Sequence, residues 1–163
     1  MLLPSEEGNA GGHRMQSVAK DLESLLKIAD RLRGIQDAQA SIRPAPGKWS
    51  KKEILGHLID SAANNHQRFV RLQLTPVLNL PGYDGDEWVR VQRYQDRPWS
   101  EIVALWQMYN VQLAAVISHV DPKTLPNVWH TPDGKDLDLE FIIRDYVVHM
   151  RHHLDQILER PQA

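Results

Sequence analysis

The sequence predicts an all-α protein, a four-helix bundle. Three observations carry this reading. Four stretches of about 20 residues place apolar side chains three and four apart. Capping and breaking residues bound them, and no alternating strand pattern lies between them. At 163 residues, 42% hydrophobic and 25% charged, the chain suits one domain with a core that needs no cross-links.

The elements follow in order. Residues 1–14 carry Gly8, Gly11 and Gly12 with few apolar side chains, and read as a flexible N-terminal arm before a single domain over 15–160. From Met15, the residues Val18, Leu22, Leu25, Leu26, Ala29 and Leu32 form one apolar stripe. Gly34 weakens that helix, and Pro44-Ala45-Pro46-Gly47 ends it. Ser50-Lys51-Lys52-Glu53 has the form of a capping box, with Trp49 placed to staple onto Ile54. The second helix then runs to about Leu74 and halts at Pro76.

Residues 76–97 form a connection of 22 residues, long for a compact domain, with a short helix expected around Trp88. A third helix begins near Ser100 and carries Ile102, Leu105, Trp106, Tyr109, Leu113 and Val116. It ends before Asp121-Pro122. The connection 121–137 holds the turn sequence Thr131-Pro132-Asp133-Gly134. Asp138 caps a last helix over 139–160, which Pro161 terminates.

Composition excludes several functions. Nineteen basic residues against twenty-one acidic ones give a net charge of −2, which argues against a protein whose main task is gripping nucleic acid, since that needs a basic footprint, and leaves a local patch open. No run approaches the roughly 20 apolar residues of a membrane span. The opening Met1-Leu2-Leu3-Pro4-Ser5-Glu6-Glu7 is acidic where a signal peptide is basic. The expectation is a cytoplasmic protein with no nucleic-acid or membrane partner. The chain has no cysteine, so thiolate nucleophiles, disulfides and cysteine-ligated metals are absent. Any metal must rest on histidine and carboxylate.

Of eight histidines, three crowd into residues 149–153. Stepping along the last helix from His149, His153 lies at about 40°, on the shoulder of the face formed by Ile142, Tyr146, Met150, Leu154 and Ile157; His152 lies at about −60°, towards solvent. Imidazoles at i and i+4 can chelate one metal. On the second helix His57 heads a polar stripe with Ser61, Asn64 and Arg68, beside the apolar face of Ile54, Leu58 and Phe69. Two such shoulders facing each other make a polar cleft between helices, and three neutral imidazoles there leave coordination positions open, as a catalytic site does. Solvated helix edges carry the same pattern, and spacing alone does not choose between the two.

Two blocks, in order and at matching separation, carry a family resemblance. Pro46-Gly47-Lys48-Trp49-Ser50-Lys51-Lys52-Glu53-Ile54-Leu55-Gly56-His57-Leu58-Ile59-Asp60-Ser61 resembles the start of the second helix of the DinB/YfiT-like superfamily. His149-Met150-Arg151-His152-His153-Leu154-Asp155-Gln156-Ile157 resembles its last helix. The resemblance spans about 15–160. It implies an up-down-down-up bundle, often a homodimer, with a divalent metal on His57, His149 and His153. His152 is the substitute for His153 if the helix is rotated. Asp60 and Asp145 are candidates to orient the ligands, as metal-bound histidines require. His130 is a further candidate to overhang the cleft.

The resemblance also implies a reaction on a small-molecule substrate. An open zinc or nickel centre can activate water, for hydrolysis, or a low-molecular-weight thiol such as bacillithiol, mycothiol or glutathione, for S-transfer. Thiol transfer is slightly preferred. Arg68 and Arg151 are the candidate groups to hold an anionic cofactor. The competing class is a non-catalytic metal- or ligand-binding bundle acting as a stress-linked interaction protein.

Overall fold

The computed structural model describes residues 6–159, with side chains from 10 to 158. Four long helices form the bundle: α1 (Glu6–Leu26), α4 (Lys51–Arg71), α6 (Trp99–Ser118) and α7 (Leu139–Glu159). Shorter elements join them: α2 (Ala29–Arg33), α3 (Asp37–Ala40), β1 (Val77–Asn79), α5 (Gly85–Gln92), β2 (Val128–His130) and β3 (Asp136–Asp138).

Side-chain contacts fix the directions. Lys51, at the start of α4, donates from Nζ to the carbonyl of Ile157 near the end of α7 at 2.7 Å, so these helices run antiparallel. Asp37 bridges Lys52 to the amide of Trp99, at 3.0 and 2.7 Å, bringing the starts of α4 and α6 together. Arg14 pairs with Glu140 at 3.3 Å, which sets α1 parallel to α7. Trp99 donates from Nε1 to the Leu32 carbonyl at 2.7 Å, closing the far end of α1 and α2 onto the start of α6. The result is the up-down-down-up order.

The core is the apolar stripe of each helix turned inwards. Leu22, Leu32, Leu55, Leu58, Phe69, Trp106, Leu113, Met150 and Leu154 are all fully buried. Burying each such side chain stabilises the fold by about 1.5–3 kcal/mol. The capping box at α4 forms as expected: Ser50 Oγ accepts from the Glu53 amide at 3.2 Å, and Glu53 Oε2 from the Ser50 amide at 2.9 Å. Asp138 caps α7, accepting from the Phe141 amide at 2.7 Å.

Three expectations are corrected. The arm does not extend to residue 14: α1 begins at Glu6, and Gly11 packs so closely on Pro122 that an added Cβ would stand 3.0 Å from the proline Cβ. Glycine there permits close packing rather than flexibility. Residues 1–5, Pro161 and the predicted domain end at 160 lie outside the described residues. The first helix is also not continuous to Leu32, since a turn at residues 27–28 separates α1 from α2. Finally, the connections contain strands: β1 pairs parallel with β2, and β2 antiparallel with β3 around the predicted turn at Pro132-Asp133-Gly134. At three residues each, they are too short for alternation to show.

This small sheet is tied to the bundle. Asn127 donates from Nδ2 to the Leu72 carbonyl at 2.5 Å, and its own carbonyl accepts from the Leu139 amide at 2.9 Å. Trp129 donates from Nε1 to the Leu80 carbonyl at 2.9 Å. These bonds hold Trp129 between the end of α4 and the start of α7. No helix among the described residues is long and apolar enough to cross a membrane.

Candidate metal centre

The antiparallel pairing of α4 with α7 brings the two predicted shoulders together. His149 Nε2 lies 3.2 Å from His57 Nε2 and 3.1 Å from His153 Nε2. One nitrogen from each of these residues falls within a 4.8 Å cluster. Two nitrogens bound to one zinc at about 2.05 Å stand roughly 2.9–3.3 Å apart for bond angles between a right angle and tetrahedral. The observed spacings fit that range. Three nitrogen lone pairs converging without a cation would repel, so the donor set suits a divalent transition ion.

Burial keeps these rings neutral. His57 and His149 are both lowered to about 4, first by desolvation and then by the neighbouring imidazoles. His153 is lowered by desolvation too, against an opposing hydrogen bond to Gln156. Neutral imidazole is the form that ligates metal.

The sequence reading gave Gln156 no role, although it lies within the quoted block. Its Oε1 accepts from His153 Nδ1 at 3.0 Å, and its Nε2 donates to His152 Nε2 at 2.9 Å. The amide thus fixes the proton of His153 on Nδ1 and leaves Nε2 free to face the centre. His152 is exposed and does not replace His153. His57 is held by packing: its ring lies 4.9 Å from Trp49, centroid to centroid, and its edge rests on Gly85, where an added Cβ would stand 3.2 Å from Cε1. Trp49, expected as a staple, therefore also walls the centre.

Neither carboxylate orients a ligand. Asp60 Oδ1 accepts from Tyr94 Oη at 2.7 Å and from Gln92 Nε2 at 3.1 Å, while buried His57 Nδ1 has no partner among the described residues. One turn along α4 from His57, Asp60 faces α5 and Tyr94 rather than the ring. Asp145 is exposed and lines a cavity beside His149, without a hydrogen bond to it. His130 is exposed on β2 and pairs with Asp136. Arg151 is exposed on α7 and lies outside the cavity lining, because its helical position faces away from α4.

Arg68 is different. It is 7% exposed and lines the cavity of about 180 Å³ that reaches His149. Ser61 shares that lining, while Asn64 turns back to the Asp60 carbonyl of its own helix at 2.9 Å. Asn65, Tyr83 and Trp129 complete the polar and aromatic wall. Asn65 could have been read from the sequence as a polar residue about 80° from His57, inside the apolar arc. Tyr83 and Trp129 lie in connections, where no periodicity points to them.

Residues 22–157 match the model of the DinB superfamily. YfiT of Bacillus subtilis, for which a metal-dependent hydrolase activity has been proposed, is 25% identical over 145 residues, covering 82% of this chain and 75% of YfiT. A relative from Oceanobacillus iheyensis with the same proposed activity is 24% identical over 141 residues, covering 85% of this chain and 78% of its own. The solved structure of YfiT, an unusual four-helix bundle, superposes with a TM-score of 0.70 at 21% identity, over 97% of this chain and 87% of that one. This chain belongs to the DinB superfamily.

Proposed function

We propose that the protein is a divalent-metal-dependent enzyme that directs a small nucleophile against a small-molecule substrate, with His57, His149 and His153 holding the ion. One observation carries the reading: His149 Nε2 lies at ligand spacing from both His57 Nε2 and His153 Nε2, the three rings offering nitrogens within 4.8 Å of one another, beside a cavity lined by His149. Such a three-protein-ligand set leaves room for exogenous ligands. A zinc or nickel ion there supplies Lewis acidity, bringing the pKa of a water or thiol that reaches it to neutrality or below.

The chain's own residues do the rest. Gln156 holds the tautomer of His153, and Trp49 and Gly85 hold the ring of His57. Buried Tyr146, hydrogen-bonded to Asn110, forms part of the cavity wall beside His149 and limits solvent there. Hydrolysis is the reading supported by the activity proposed for the relatives. S-transfer to or from a low-molecular-weight thiol is the second reading, favoured by a buried guanidinium, that of Arg68, able to hold an anionic group.

The test is a screen of esters, amides and alkylating electrophiles on zinc- and nickel-supplied protein, with and without bacillithiol, mycothiol and glutathione. Turnover by wild type that a His57→Ala/His153→Ala variant lacks is expected. Turnover needing no thiol identifies a hydrolase. Background rates throughout, with metal bound, would leave a metal-binding module instead.

A further inference from the structure

Arg68 has no acidic partner among the described residues. Among the described residues one of its five N–H groups is used, by Nη1 donating to Asn65 Oδ1 at 3.1 Å. Its guanidinium carbon lies 3.8 Å over the Trp129 ring. None of the ion pairs among the described residues includes it. Burying a cation without a counter-charge costs stability, and here the bundle and the sheet both contribute to holding it. Desolvation correspondingly weakens its hold on the proton. Its nitrogens are nonetheless not sealed off: the buried polar atoms without partners are on His57, Asp60 and Trp106.

Arg68 and His149 line the same cavity. Asn65 and Trp129 fix the plane of the guanidinium, which preorganises it for a planar, two-pronged acceptor. Arg68 is the one cationic side chain in that lining, which also carries the exposed carboxylate of Asp145, so a singly charged group fits better than a doubly charged phosphate. Leu137, Phe141 and Ile142 supply an apolar wall. The cavity is small, about 180 Å³, which suits a small substrate.

We infer that this cavity is a carboxylate subsite, in which Arg68 grips the carboxylate of a small substrate with an apolar body and points its other end at the histidine centre. What happens at that centre rests on the metal-dependent reading; the binding itself does not.

The probe is phenylacetate, with the neutral isostere phenylacetamide as control, titrated calorimetrically into full-length protein supplied with zinc. Wild type is expected to bind the acid at least about ten-fold more tightly than the amide. Arg68→Met removes that preference, Arg68→Lys keeps part of it, and His57→Ala/His153→Ala retains it. Equal binding of acid and amide by wild type overturns the proposal. So does a preference that survives Arg68→Met and disappears in the histidine variant, since the acid then sits on the metal. Should Arg68→Met fail to fold by circular dichroism, the Trp129 indole resonance, assigned with Trp129→Phe, decides: it moves with the acid and not with the amide. A resonance that ignores both contradicts the subsite. Failure of the metal reading alone leaves the acid preference intact.

Discussion

His153 donates from Nδ1 to Gln156 Oε1 across 3.0 Å, and its Nε2 faces that of His149, 3.1 Å away. The two distances describe one device. A hydrogen bond on the outer nitrogen places the lone pair of the inner one, three residues and less than a helical turn apart. Removing it with Gln156→Leu is expected to lower zinc affinity about 10–100-fold without unfolding α7. Gln156→Glu, which still accepts from Nδ1, keeps most of the affinity. Competition with a chromophoric chelator measures both.

The histidines set a pH dependence whose sign follows from their burial. His57 and His149 are lowered to about 4 in the folded chain, against an ordinary value near 6.5. Above about 6.5 they are neutral folded or unfolded, and their contribution to stability is fully present. As pH falls from there towards 4, the unfolded state takes up protons first and the metal-free protein loses stability. Urea denaturation of apoprotein at pH 7.5, 6 and 5 is expected to show this decline. His57→Ala/His149→Ala, which lacks both groups, shows a shallower one.

Much of this was legible in the sequence, and the reasons are local. Ser50 and Glu53 announce a helix start because the capping box needs only four residues, and helical periodicity then places His57 on the shoulder of a buried face. His153 was separable from His152 by a rotation of about 100°. The strands escaped because three-residue segments have no periodicity, and with them went Trp129, whose position under Arg68 depends on pairing between segments about 50 residues apart. Asp60 shows a different limit. Spacing puts it near His57, but Tyr94 and Gln92, from a segment whose path the sequence does not specify, claim its carboxylate.

That claim makes Asp60 a packing residue, and the consequence is testable. Burial raises its pKa, opposed by the bonds from Tyr94 and Gln92. Asp60→Asn keeps an oxygen for both donors, so stability is expected to change by less than about 1 kcal/mol and zinc affinity by less than about two-fold. A large loss of affinity with unchanged stability would return Asp60 to the metal centre.

Gly56 and Gly85 flank the centre at two different tolerances. A Cβ on Gly56 would stand 2.1 Å from Tyr94 Cδ2, a clash with a buried ring. Gly56→Ala is expected to destabilise the fold by about 3 kcal/mol or more, seen in thermal denaturation. A Cβ on Gly85 would come within 3.2 Å of His57 Cε1 and 3.3 Å of Nδ1. Gly85→Ala should therefore leave the melting temperature nearly unchanged and weaken zinc several-fold by displacing that ring.

The central claim is that His57, His149 and His153 form a metal site, and elemental analysis by mass spectrometry tests it most directly. Tag-free wild-type protein is expected to carry about one equivalent of a divalent transition metal, with His57→Ala/His153→Ala carrying essentially none. Folded wild-type protein that stays metal-free after zinc and nickel have both been offered would contradict the account.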